Sequence, residues 1–209
     1  MELTSLTFQP NDLTPKNVVA SSLFGDGAAA LLIAPAESGS GKLDIVRSTN
    51  LLRPDSTSLM GWHFGDAGFE VVVSERIPSM IRELMPRAMN SLLAEAGILP
   101  GQVSSFIFHP GGRKVLEVCE RGLGRSSETF SSSYETLRLY GNMSSATVLF
   151  VLERVLAHEE QAPGSYGILG AFGPGFSAEL TLLKWADTEA PQPKPAHLEQ
   201  LGNELKRVA

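Results

Sequence analysis

A layered α/β protein is the fold class this sequence predicts, and three observations predict it. Short apolar or alternating runs of strand character interleave with stretches of helical periodicity, and Gly and Pro punctuate the boundaries between them. A chain of 209 residues, 43% of them hydrophobic, is long enough to bury one good core and short for two. No internal repeat suggests a solenoid or an array.

The elements follow in order. Gly27 to Ala34 is a continuous apolar run, opened by the turn signal Asp26-Gly27 and closed by Pro35, and it predicts a buried strand. Leu43 to Ser48 alternates apolar and polar residues, and Gly68 to Val73 is rich in valine, so both predict strands. From Ile77 to Ala96 the apolar residues Ile77, Met80, Ile81, Leu84, Met85, Met89, Leu92 and Leu93 recur at helical spacing. Pro78 suits the first turn of that helix and Gly97 its stop, whereas Pro86 falls in the middle and should kink it. Ser105 to Phe108 predicts a strand, and Lys114 to Arg121 a helix ending at Gly122. Tyr134 to Leu139 predicts a short helix, and Asn142 to His158 a longer one. Two strands, Ser165–Phe172 and Phe176–Trp185, flank Gly173-Pro174-Gly175 as a hairpin. Beyond Trp185, Pro191, Pro193 and Pro195 alternate in a polar linker. Leu198, Leu201, Leu205 and Val208 then form a short apolar stripe, either a frayed terminus or a docking helix.

Composition excludes several classes. Seventeen basic against 23 acidic residues give −6, the wrong sign for a protein that tracks nucleic-acid phosphates. The single cysteine, Cys119, rules out an intrachain disulfide framework and a cysteine-rich zinc site. His63, His109, His158 and His197 lie far apart without metal-ligand spacing, so no metal site is expected. The longest apolar run, Gly27 to Ala36, is half of the roughly 20 residues a membrane-spanning helix needs. The first 13 residues have neither a basic nor an apolar leader segment, so the expected location is cytoplasmic.

Candidate chemistry collects at a few places. His109 closes a strand and precedes Pro110-Gly111-Gly112 and a helix. There an imidazole can stabilise an oxyanion or exchange protons, or it can simply cap a loop. Asn142, in Tyr140-Gly141-Asn142-Met143-Ser144-Ser145, reads as a helix N-cap or as an amide donor aimed into a cleft. Phe24, before Gly25-Asp26-Gly27, is either a core aromatic or a pocket wall. Leu169 to Gly175 lacks dinucleotide-binding spacing and lies between two strands, which leaves a hairpin turn or a close-packed cavity wall. Cys119, among Leu116, Val118 and Leu123, reads as a buried structural thiol and not as a nucleophile.

Taken together, Phe24-Gly25-Asp26-Gly27-Ala28-Ala29-Ala30, His109-Pro110-Gly111-Gly112, Tyr140-Gly141-Asn142-Met143-Ser144-Ser145-Ala146 and Phe172-Gly173-Pro174-Gly175 resemble the chalcone synthase-like type III polyketide synthases. The resemblance runs from about Glu2 to Lys184, and the region of Gly61-Trp62 and Gly68-Phe69 looks more like the bacterial members. It implies one half of a thiolase-like fold, a layered mixed sheet with helices. Residues 1–36 would be a remnant of the N-terminal half with its last strand, residues 37–185 the C-terminal domain, and residues 186–209 a Pro-containing linker and tail. It also implies a Cys-His-Asn catalytic set in an acyltransferase that decarboxylates malonyl-CoA and condenses it onto a Cys-bound acyl chain. His109 and Asn142 match the family's histidine and asparagine, and Phe24, Gly173, Pro174 and Gly175 match substrate-pocket positions. The nucleophilic cysteine belongs to the preceding half, so this chain alone is expected to be inactive.

The resemblance further implies CoA thioesters as substrates, with no separate cofactor, and a homo-oligomer or a complementary half as partner. Val71 stands where the family often has a second pocket aromatic. Arg113 and Lys114 follow the HPGG segment, either beside a CoA tunnel or as a solvated helix end. Two alternatives stand beside this reading. One is a non-catalytic half-fold that pairs with a full-length relative, and the other is a piece of a ketoacyl-ACP synthase-like condensing enzyme.

Overall fold

The computed structural model describes residues 1–35, 41–65 and 68–186. The described residues form five α-helices and six strands, four of the strands in one sheet: α1 Pro15–Leu23, β1 Leu43–Leu52, β2 Met60–Gly65, β3 Gly68–Val73, α2 Ile77–Ala96, β4 Val103–Phe108, α3 Arg113–Leu123, α4 Ser131–Tyr140, α5 Thr147–His158, β5 Tyr166–Gly173 and β6 Ser177–Trp185. The sheet order is β1-β6-β5-β4. β4 runs parallel to β5, while β6 is antiparallel to both β5 and β1, so the sheet is mixed.

Period-two alternation in β4 and β6 sends successive side chains to opposite faces, and helices cover both. Phe106, Phe108, Leu180 and Leu182 point into a core shared with α2, α3 and Phe130. Ile107, Leu183 and Trp185 point the other way, onto Val151, Leu152 and Val155 of α5. The result is a three-layer α/β/α body, in agreement with the layered class read from the sequence. The β5–β6 hairpin turns at Gly173-Pro174-Gly175, as expected. β2 and β3 form a separate two-stranded sheet, against which the N-terminal segment packs; Gln9 Nε2 donates to the Phe69 carbonyl at 3.1 Å.

α2 spans the expected residues and buries the expected stripe, with Ala88 added. It runs on through Pro86, and Arg82, whose carbonyl loses its i+4 donor, lies on the exposed face. β1 is four residues longer than its alternation suggests, because a bulge between Ile45 and Arg47 resets which residues face the core. α3 ends at Gly124 and not at Gly122. Gly122 stays helical and serves close packing: a Cβ there would lie 2.6 Å from Met85 Cε of α2. α4 starts earlier than its apolar pattern, because Ser132, Ser133 and Thr136 are buried and satisfied by hydrogen bonds. α1, which the apolar pattern does not reveal, carries its own start signal, Thr14 at the N-cap followed by Pro15.

Two expectations fail. Gly27–Ala34 is not a strand: apart from a bridge between Glu2 and Gly27 it pairs with nothing among the described residues. Leu31 and Ile33 are exposed, and Leu32 is 93% exposed. A strand needs a neighbour for its N–H and C=O groups, and neither edge of the four-stranded sheet reaches this segment. Asn142 is likewise not the start of the long helix. It lies in a short parallel bridge with Phe24, a 3₁₀ turn follows at Ser144–Ala146, and α5 begins only at Thr147. The Pro191–Pro195 linker and the stripe Leu198 to Val208 lie outside the described residues.

Candidate active site

β4 delivers His109 to the end of the sheet. Its backbone N–H donates to the Gly170 carbonyl at 2.8 Å, one residue beyond the Phe108–Gly170 pair, and so extends the parallel ladder. Its carbonyl accepts from Gly111 N at 3.0 Å, which closes a tight turn into α3. The end of β4 is held from below by Ser133 of α4, whose hydroxyl donates to the buried Phe108 carbonyl at 2.8 Å. The imidazole folds over Gly111: a Cβ on that glycine would lie 3.6 Å from His109 Cδ2 and Nε2. Burial disfavours the charged ring and lowers its pKa to about 4, so His109 is neutral at pH 7. Neither ring nitrogen has a hydrogen-bond partner among the described residues.

Asn142 reaches the same turn from a different part of the chain. Its side chain is 5% exposed and makes two hydrogen bonds. Nδ2 donates to the Gly111 carbonyl at 3.2 Å, and Oδ1 accepts from Ser144 N at 2.9 Å. The carboxamide is thereby fixed against the histidine turn, and its second N–H has no partner among the described residues. His109 and Asn142 therefore meet at Gly111, although 33 positions separate them.

The Phe24 segment is stitched to Asn142 on the other side. Asn142 N donates to the Leu23 carbonyl at 2.8 Å, and Gly25 N donates to the Asn142 carbonyl at 3.0 Å. Two glycines permit this approach. A Cβ on Gly25 would stand 2.5 Å from the Tyr140 carbonyl oxygen, and one on Gly141 would stand 2.7 Å from that of Leu23. Gly141 also has φ +71°, which side-chain-bearing residues rarely adopt. The Phe24 ring lies 6.5 Å from Trp62 of β2 and borders a cavity of about 330 Å³, together with Thr4, Thr7, Phe8 and Asp26.

Gly173, Pro174 and Gly175 do not border that cavity. Because β4 and β5 are parallel, their turn follows β5 at the same end of the sheet at which His109 follows β4. Cys119 is buried in α3, where burial pushes its thiol up to about 12, so it stays protonated and inert. Among the described residues no cluster of His, Cys, Asp or Glu can hold a metal ion, and no helix is long and apolar enough to cross a membrane. Sequence reading misses Ser133 and Ser56, whose roles lie in hydrogen bonds to backbone from distant segments. A lone serine carries no local signal of that kind.

Known proteins resemble this chain over most of its length. Residues 44–186 match the model for the chalcone and stilbene synthases, C-terminal domain. The 1,3,6,8-tetrahydroxynaphthalene synthase of Streptomyces peucetius subsp. caesius is 40% identical over 188 residues, which cover 88% of this chain and 50% of that protein. Among solved structures, the 1,3,6,8-tetrahydroxynaphthalene synthase of Streptomyces coelicolor superposes with a TM-score of 0.74 at 28% identity, over 87% of this chain and 51% of that one. The C-terminal type III polyketide synthase domain of Steely1 from Dictyostelium superposes with a TM-score of 0.75 at 26% identity, over 88% and 52%. The chain thus spans about half the length of the relatives it matches. With the mixed three-layer sheet, these likenesses place it in the chalcone and stilbene synthase family of type III polyketide synthases, as the C-terminal half of that thiolase-like fold.

Proposed function

We propose that this chain supplies the histidine–asparagine half of a decarboxylative condensing site, completed by a half that carries the nucleophilic cysteine. The observation that carries the reading is the junction at Gly111. A neutral imidazole with both nitrogens unpartnered stands beside a buried carboxamide with one spare N–H. Unpartnered donors held rigidly at one point are what an oxyanion site requires, and one such donor is typically worth about 3 kcal/mol of barrier.

The chemistry follows from these groups. A neutral His109 accepts the proton of the cysteine thiol, and the resulting imidazolium stabilises the thiolate. The thiolate attacks an acyl-CoA carbonyl and expels CoA thiolate, leaving the acyl group as a thioester. Malonyl-CoA then loses CO₂: its carbon–carbon bond breaks, and the electron pair remains as an enolate. His109 and Asn142 Nδ2 donate to the enolate oxygen. The enolate carbon attacks the enzyme thioester, a new carbon–carbon bond forms, and the cysteine thiolate leaves. Phe24 and the Gly173-Pro174-Gly175 turn would wall the space into which the chain grows. CoA thioesters are substrates in this scheme, and no further cofactor takes part.

The exposed Leu31, Leu32 and Ile33 support a complementary half, or a second copy of the chain, as the partner that covers them. The test is to mix the chain with the cysteine-bearing half of a tetrahydroxynaphthalene synthase and supply malonyl-CoA with an acyl-CoA. Extended acyl products in the mixture, and none from either half alone, are expected. Stable association without product would refute the catalytic reading in favour of a non-catalytic interaction protein. Transfer from acyl-carrier protein, and not from CoA, would point to a ketoacyl-ACP synthase-like enzyme.

A further inference from the structure

We infer that Ser56, in the connection between β1 and β2, is a positioning residue that clamps the Gly173-Pro174-Gly175 turn and thereby sets the shape of that wall. Ser56 is polar yet only 4% exposed, so its hydroxyl must be satisfied internally. It lies 2.6 Å from both the Arg53 and the Gly175 carbonyl oxygens, and its single proton serves one of them at a time. Its oxygen also accepts from Phe176 N–H. The same connection grips the turn twice more. Arg53 N donates to the Phe176 carbonyl at 2.8 Å, and Leu52 Cδ1 occupies the place 2.9 Å from where a Cβ of Gly175 would stand. Gly175 has φ +137°, a conformation that glycine permits and a side chain would resist, and the β1–β2 connection packs against the turn in that shape.

The clamp has a second end. Leu59 N donates to the Ser56 carbonyl at 3.0 Å, and Ser74 N donates to the Leu59 carbonyl at 2.8 Å, which ties Ser56 to both ends of the β2–β3 hairpin. Trp62 of that hairpin packs against Phe24. Ser56 therefore joins the glycine-rich turn to the aromatic side of the site, while making no hydrogen bond to His109 or Asn142.

The functional part of this inference rests on the proposed condensing activity, and the test separates the two. Amide hydrogen exchange is measured first on the 209-residue chain with Ser56→Ala and Ser56→Thr. Exchange at Phe176 N–H and Arg53 N–H is expected to accelerate at least tenfold in S56A and to return towards the parent rate in S56T, with Leu182 of β6 unchanged. An unaltered Phe176 amide, or uniform acceleration through β6, would overturn the clamp. Steady-state kinetics then follow in the two-half mixture described above. S56A is expected to raise KM for long-chain acyl-CoA severalfold more than for acetyl-CoA, with the rate of malonyl-CoA decarboxylation retained. Equal changes for all starters would overturn the positioning role. Failure of the unsubstituted mixture to condense would overturn the proposed function, while amide exchange still decides whether the clamp exists.

Discussion

Lowering the pH from 7 to 4 should destabilise the folded chain through His109. An unfolded histidine titrates near 6.5, whereas burial lowers this one to about 4. Between those values the unfolded chain binds a proton that the folded chain refuses, so stability falls as pH falls. The contribution is complete above pH 6.5 and is lost progressively down to about 4. The difference in pKa, at about 1.4 kcal/mol per unit, sets an upper limit of about 3.5 kcal/mol. Urea unfolding between pH 4 and 7 measures it, with His109→Gln as the control that removes the slope from this site. The imidazole resonances, assigned by the same variant, should show one ring that stays neutral to below pH 5. A His109 midpoint at or above 6.5, or an identical slope in H109Q, would refute the argument that the ring is held neutral by burial.

Other consequences follow from the same geometry. Asn142→Ala leaves Ser144 N and the Gly111 carbonyl without their partner and should cost about 1–3 kcal/mol in urea unfolding, with the rate of the completed enzyme lowered at least about a hundredfold. Gly141→Ala drives a Cβ towards the Leu23 carbonyl at a positive φ and should cost about 1–3 kcal/mol; crystallography or exchange at Gly25 N–H should show the Phe24 segment released. Cys119 should resist alkylation at pH 8 in the native chain and react once urea unfolds it. Replacing Leu31, Leu32 and Ile33 by serine should leave the melting temperature unchanged and weaken association with a cysteine-bearing half, as read by analytical ultracentrifugation.

Much of this architecture is legible along the chain because it is locally encoded. α2 announces itself by period, proline and terminal glycine, and the β5–β6 hairpin by its Gly-Pro-Gly turn. His109 stands out because proline and two glycines follow it at the end of an apolar strand. What the sequence hides is non-local. Gly27–Ala34 has the composition of a buried strand, yet strand formation depends on a partner, which the described residues do not provide. Asn142 looks like an N-cap because the pairing with Phe24 that holds it spans more than a hundred positions. Ser56 is invisible until the turn it holds is seen across the fold. Gly122 is misread as a helix stop because close contact with Met85, unlike a cap, leaves no trace beside it.

The most direct measurement is CO₂ release from carboxyl-labelled malonyl-CoA by the chain mixed with a cysteine-bearing half whose own sequence contains neither the histidine nor the asparagine. If His109 and Asn142 form the enolate site, the mixture releases CO₂ and each of H109Q and N142A lowers the rate by at least a hundredfold, roughly the loss typical of one oxyanion donor. Release that continues undiminished in both variants would contradict the assignment of this chain to the condensing chemistry.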